Sequence, residues 1–107
     1  MLNQVILVGR LTEVPKIEEL ENGKKLANII LAVPRTYKNE NGEYDTDFIK
    51  CVVWNGIIEN SVDYFKKGDI VGIRGRLEAK ENNLCVIAEK ITFLSSKKVE
   101  NDEDGEE

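Results

Sequence analysis

Apolar and polar positions alternate along most of this chain. In residues 4 to 11, QVILVGRL, Val5, Leu7 and Leu11 fall on one side of an extended strand. Ile6, Val8 and Arg10 fall on the other. Similar runs of apolar and β-branched residues recur at 26–33 (LANIILAV), 46–54 (TDFIKCVVW), 69–79 (DIVGIRGRLEA) and 84–94 (LCVIAEKITFL), and predict five strands. The period changes only in 56–68, GIIENSVDYFKKG. There Ile58, Val62 and Phe65 recur at i, i+4 and i+7, the stripe of a short amphipathic helix. Lys66 and Lys67 lie in its last turn, where cations suit the helix dipole, and Gly68 is its stop. ENGKK (21–25) is a turn built on Asn-Gly, KNENGEYD (38–45) a polar loop and KENN a short turn. Pro34 cannot donate to a ladder, so the second strand ends or bulges there.

Three strands, one short helix between strands 3 and 4, then two strands is the order of an OB-fold, an all-β, five-stranded Greek-key barrel. Gly9, Gly72 and Gly75, inside strands, fit the sharp coiling of a small barrel.

Composition narrows the function. The chain has 107 residues and a net charge of −5, concentrated at one end. Residues 95–107 hold two lysines and six carboxylates, while the preceding 94 residues hold 13 basic and 14 acidic side chains. The organisation expected is therefore a domain over 1–94 and a disordered acidic tail over 95–107. The nearly neutral body is able to carry a basic stripe on one face. No apolar run is long enough for a membrane helix and no signal peptide is evident, so the expected location is cytoplasmic, with no membrane partner. Cys51 and Cys85 lie in apolar runs and read as buried, reduced thiols. The chain has no histidine, and no catalytic constellation, metal-ligand cluster or Gly-rich phosphate loop stands out. The expectation is a non-enzyme without metal or cofactor.

Candidate chemistry centres on DFIKCVVW. Ile49, Cys51 and Val53 form a core face, while Phe48, Lys50, Val52 and Trp54 form the opposite one. OB-folds hold single strands by laying bases on exposed rings while a basic groove tracks the phosphates. Phe48 and Trp54 flank Lys50 in that manner, and Tyr37 extends the platform. Arg10, Arg35, Lys38, Lys66, Lys67, Arg74, Arg76 and Lys80 are further candidate phosphate contacts. Each has a structural alternative. The rings could pack beneath the helix or form a subunit interface, and Tyr37 could cover a core edge. Arg74 and Arg76 could simply keep a strand soluble.

Taken together, MLNQVILVGRLTEVP, NGKKLANIILAV, DFIKCVVW, YFKKGDIVGIRGRLEA and ITFL resemble the bacterial single-stranded DNA-binding protein (SSB) family, in order and spacing, from residue 1 to about 94. The resemblance implies a homo-oligomer, usually a tetramer with a dimer left open, that coats single-stranded DNA without sequence preference during replication, recombination and repair. It assigns base stacking to Tyr37, Phe48 and Trp54, and phosphate contacts to Arg10, Lys50, Lys66, Lys67 and Lys80. Ile6, Val8 and Ile30 would suit the subunit interface.

Four features depart from the family pattern. Glu18 and Glu19 stand where relatives usually carry a basic and aromatic pair, and Gly56 where they often have a basic residue. The hairpin between the last two strands is cut to AKENNL, without its stacking aromatic. The tail ends DEDGEE, without the hydrophobic tip that recruits replication and repair proteins. Two other readings therefore remain: a protein-interaction module whose sheet face binds DNA secondarily, and an RNA-binding module sharing the fold.

Overall fold

The computed structural model describes residues 1–54, 56–57 and 65–95. Six strands appear: β1 (Val5–Leu11), β2 (Lys16–Glu19), β3 (Lys25–Lys38), β4 (Tyr44–Trp54), β5 (Ile70–Lys80) and β6 (Asn83–Ser95). Five of them close a ring. β1 pairs with β5, β5 with β6, β6 with β4, β4 with β3, and β3 returns to β1. The β4–β6 step is parallel and the others antiparallel. This is the expected OB barrel, with β2 added along β3 outside the ring.

Alternation places the core as read. Leu11, Ala27, Ile29, Leu31, Cys51, Val53, Val71, Ile73, Val86 and Ala88 fill the barrel, joined by Phe65. Burying each large aliphatic side chain contributes about 1.5–3 kcal/mol. Gly9 and Gly75 permit close strand crossings. A Cβ on Gly9 would lie 2.6 Å from the Ala32 carbonyl oxygen, and one on Gly75 would strike the Ile87 carbonyl. Gly72 has only ordinary contacts at 3.7 Å or more, so the same reading does not extend to it.

The strands run longer than the pattern foretold. β3 passes through Pro34 as far as Lys38, and the register slips between those two residues, which is the bulge alternative. KIEE, outside the five expected strands, is strand β2; all four of its residues are exposed, so no buried face marks it in the sequence. Asn22 and Gly23 make the turn to β3, with Gly23 at φ 87° and the Asn22 side chain accepting from the Lys24 amide.

The helix expected over 56–68 falls mostly on 58–64, outside the described residues. Gly56 and Ile57 are helical, but Lys66–Gly68 are not. Instead the buried Asp69 carboxylate accepts from the Lys66 amide at 2.9 Å, and the Asp69 amide donates to the Lys66 carbonyl. Gly68, at φ 92°, donates to the Leu11 carbonyl and locks this turn to the end of β1. The acidic segment 96–107 also lies outside the described residues.

Candidate nucleic-acid interface

Directly opposed residues in a ladder share a face, so the register maps the barrel's outer surface. One row runs across four strands: Ile70, Arg10, Ala32 and Phe48. The next contains Ile30 and Lys50, then Asn28 and Val52, then Leu26 and Trp54. Burial splits this face in two. Phe48 is 67% exposed and Lys50 is exposed, whereas Val52 is buried and Trp54 half-buried. Val52 lies beside Ile87 in the parallel ladder, and both are covered although their strand positions point outward.

Phe48 opens onto a groove of about 530 Å³, lined by Val8, Gly9, Arg10, Ala32, Pro34, Thr46 and Ile70 besides itself. Its walls are apolar apart from Arg10 and Thr46. Arg10 is half-buried and donates through Nη1 to the Gly68 carbonyl at 3.0 Å. That bond ties its guanidinium to the Lys66–Gly68 turn, where Lys66 and Lys67 are both exposed. Phe48, Arg10 and the Lys66–Gly68 turn are thus brought together from three separate segments. Lys50, one row away, makes no ion pair among the described residues.

The remaining predicted cations are differently placed. Arg35 grips Asp47 with its fork, Nη2 donating at 2.9 Å and Nε at 3.1 Å, with Asp45 at 3.9 Å. The hydrogen bond from Arg35 holds the Asp47 carboxyl below its ordinary range, and the same bond raises Arg35 further. Arg76 pairs with Glu78 at 3.0 Å and Glu89 at 3.7 Å. Arg74 is exposed opposite Ile6 and Lys90, on the β5–β6 side of β1 from Phe48. Lys80 is exposed where the β5–β6 turn begins, opposite Asn83.

Tyr37 is 63% exposed on the β3–β4 arm. Tyr44, on the same arm and 57% exposed, was absent from the candidate residues. The signal existed, since Tyr44, Thr46, Phe48 and Lys50 alternate along one strand. It was hidden because residues 38–45 read as loop. Ile6 and Val8 are exposed neighbours on β1, but Ile30 lies on the Lys50 row, beyond the Arg10–Ala32 row from Val8. The three do not form one patch.

Cys51 is fully buried; desolvation, then the neighbouring Cys85 charge, pushes its thiol up to about 12. Neither cysteine is in a disulfide, and no cluster among the described residues suits a metal ion. No helix of the described residues is long and apolar enough to cross a membrane.

Comparison with known proteins agrees with the barrel fold. A Plasmodium falciparum SSB, solved in complex with ssDNA, superposes with a TM-score of 0.75 at 26% identity over 89% of this chain and 96% of its own. The wild-type single-stranded DNA binding protein of Thermus aquaticus gives 0.76 at 25% identity, over 91% of this chain and 52% of that one. The single-stranded DNA-binding protein of Halalkalibacterium halodurans is 44% identical over 103 residues. Single-stranded DNA-binding protein A of Bacillus subtilis is 42% identical over 106. The chain spans 61% and 62% of the lengths of these two relatives. Residues 2–94, the whole barrel, match the model of the single-strand binding protein family, and the chain belongs to that family.

Proposed function

We propose that this protein coats single-stranded DNA without sequence preference, as a binding protein and not an enzyme, in the cytoplasm and in support of replication, recombination and repair. The observation that carries the reading is Phe48, an exposed ring set in an apolar groove beside Arg10 and one row from Lys50. Every base offers a flat π-face and every nucleotide a phosphate charge. A ring flanked by cations therefore binds any sequence.

Phe48 and the accessible part of Trp54 stack on bases, and Tyr37 adds a third ring. Each stacked base contributes about 1–3 kcal/mol. Arg10, Lys50, Lys66 and Lys67 neutralise phosphates along the track. Lys38, Arg74 and Lys80 extend it at the edges. Arg35 and Arg76 contribute least, because carboxylates already occupy their forks. The exposed Ile6 and Val8 suit assembly along β1 into a dimer or tetramer. The acidic segment 95–107 begins in sequence at the end of β6 and its carboxylates compete with phosphate, so deleting 99–107 tightens binding modestly at low salt.

Titration with oligo-dT tests the reading through Trp54, the only tryptophan. Quenching is expected, with log affinity falling against log salt by about 0.7 per phosphate neutralised. Unchanged emission at low salt, together with no mobility shift, would overturn it. Competition between oligo-dT and oligo-U separates DNA from RNA preference. Light scattering with and without dT gives subunit number and stoichiometry.

A further inference from the structure

We propose that Tyr44 and Lys38 form an additional nucleotide-binding subsite at the far end of the β3–β4 arm, with Tyr44 stacking on a base and Lys38 meeting its phosphate. The proposal rests on the single-strand binding reading above and extends its track outward from Phe48.

Four observations on the arm converge. The first is strand alternation, which sets Tyr44 on the same face as Thr46, Phe48 and Lys50. Tyr44 stands four residues from Phe48, about 13 Å at the usual strand rise, so the two rings occupy separate places along one line. Secondly, the Tyr44 ring is 57% exposed, as a stacking platform must be.

The third observation is the register shift. From Pro34 to Lys38 β3 spends two more residues than β4 spends from Thr46 to Tyr44. Such irregularities re-aim side chains. Here the result is that Lys38 pairs with Tyr44 and holds its ammonium 5.9 Å from the ring centroid. That is the outer limit of a cation–π contact, so the lysine is near the ring but weakly held. It is able to turn to a phosphate at little cost.

Finally, the arm's end is fastened. The Asn39 side-chain oxygen accepts from the amides of Asn41 and Glu43 at 2.8 and 3.0 Å, while Nδ2 donates to Asp45 at 3.0 Å. The Asn39 amide donates to the Glu43 carbonyl, and Gly42, at φ 80°, completes the turn. Arg35 and Asp47 brace the arm further in. The backbone that carries the ring is therefore presented with little ordering left to do on binding. The β5–β6 hairpin offers no comparable ring, since its turn is Glu81 and Asn82 between Lys80 and Asn83.

The test measures oligo-dT affinity of the full chain through Trp54 quenching, over a series of oligonucleotide lengths and salt concentrations. Y44A and Y44L should bind about 5- to 100-fold more weakly on long oligomers, with an unchanged salt slope. The deficit should vanish on oligomers too short to reach from Trp54 past Phe48. Y44F should stay within about twofold of wild type, because the π-face is what stacks. K38A should lower the salt slope by about 0.7. Y44L retains apolar bulk, so a loss shared by Y44A and Y44L at unchanged melting temperature excludes mere unfolding. Wild-type binding with Y44A and Y44L unaffected at every length would overturn this inference alone. Wild-type protein that binds no oligomer would overturn the parent reading with it.

Discussion

The barrel carries two long antiparallel hairpins, β3–β4 and β5–β6, and they differ in what they leave available. Both bear lysines and arginines on exposed strands. The β3–β4 arm adds Tyr37, Tyr44 and Phe48, all more than half exposed, and keeps Lys50 free of ion pairs among the described residues. The β5–β6 arm has no ring near its turn, and Arg76 is engaged by Glu78 and Glu89. Counting cations does not separate the two hairpins. Nor does the count of engaged arginines, since Asp47 holds Arg35 on the first as Glu78 and Glu89 hold Arg76 on the second. What separates them is whether rings lie beside the cations.

Truncating the ring at the centre of the first arm should break the contrast most severely. F48A is expected to weaken oligo-dT binding by about 1–3 kcal/mol, roughly 5- to 150-fold, with the fold intact because the ring is exposed. Fluorescence titration reads this, and an affinity within twofold of wild type would remove Phe48 from the site. A smaller effect is expected in reverse, from giving the second hairpin what it lacks. N82W places a ring on the exposed turn and should tighten binding several-fold on long oligomers, at an unchanged salt slope.

Charge substitutions come next. K50A should flatten the log–log salt dependence by about 0.7, whereas R76A should leave it nearly unchanged, since Arg76 spends its charge internally. Equal slopes for the two variants would show that the ion pairs of Arg76 yield to phosphate. Conversely, D47N should release Arg35 and steepen the slope by about 0.7, within the first hairpin itself.

The smallest effect is a titration. Arg35 depresses the Asp47 carboxyl, so the pair's contribution is complete above the ordinary carboxylate pKa. It is lost only as pH falls through the depressed value. NMR should find Asp47 titrating below the ordinary carboxylate range in wild type and returning to it in R35A. The sign is opposite at Cys51. A thiol pushed up to about 12 contributes stability that is full below its ordinary pKa and lost as pH rises toward 12. Native Cys51 should therefore resist alkylation at neutral pH and react only after unfolding.

Much of this was legible in the chain itself. Period-two alternation identified five strands and the core faces of the first and third, with Leu11, Cys51 and Val53 buried as read, because a strand with one buried face must repeat every second residue. It also singled out Phe48, Lys50 and Trp54 as one face. Where no face is buried, that signal vanishes. Thus β2, wholly exposed, falls outside the five expected strands, and the outer part of the β3–β4 arm reads as loop, Tyr44 with it. The same limit explains Val52, whose outward-pointing position the fold covers beside Ile87.

The alternating pattern and a handful of rings thus determined the barrel, its inside and its outside, and the strand on which bases are expected to stack. Only the tertiary structure decided which charges remain available. Arg35 meets Asp47 twelve residues away, Arg76 meets Glu89 across a hairpin, and Arg10 reaches Gly68 from 58 residues off. Asn3 closes the β5 edge at Leu77, 74 residues distant. Such partners are set by strand register, and register is a cooperative outcome of the whole barrel's packing. Composition or local spacing therefore records no trace of them.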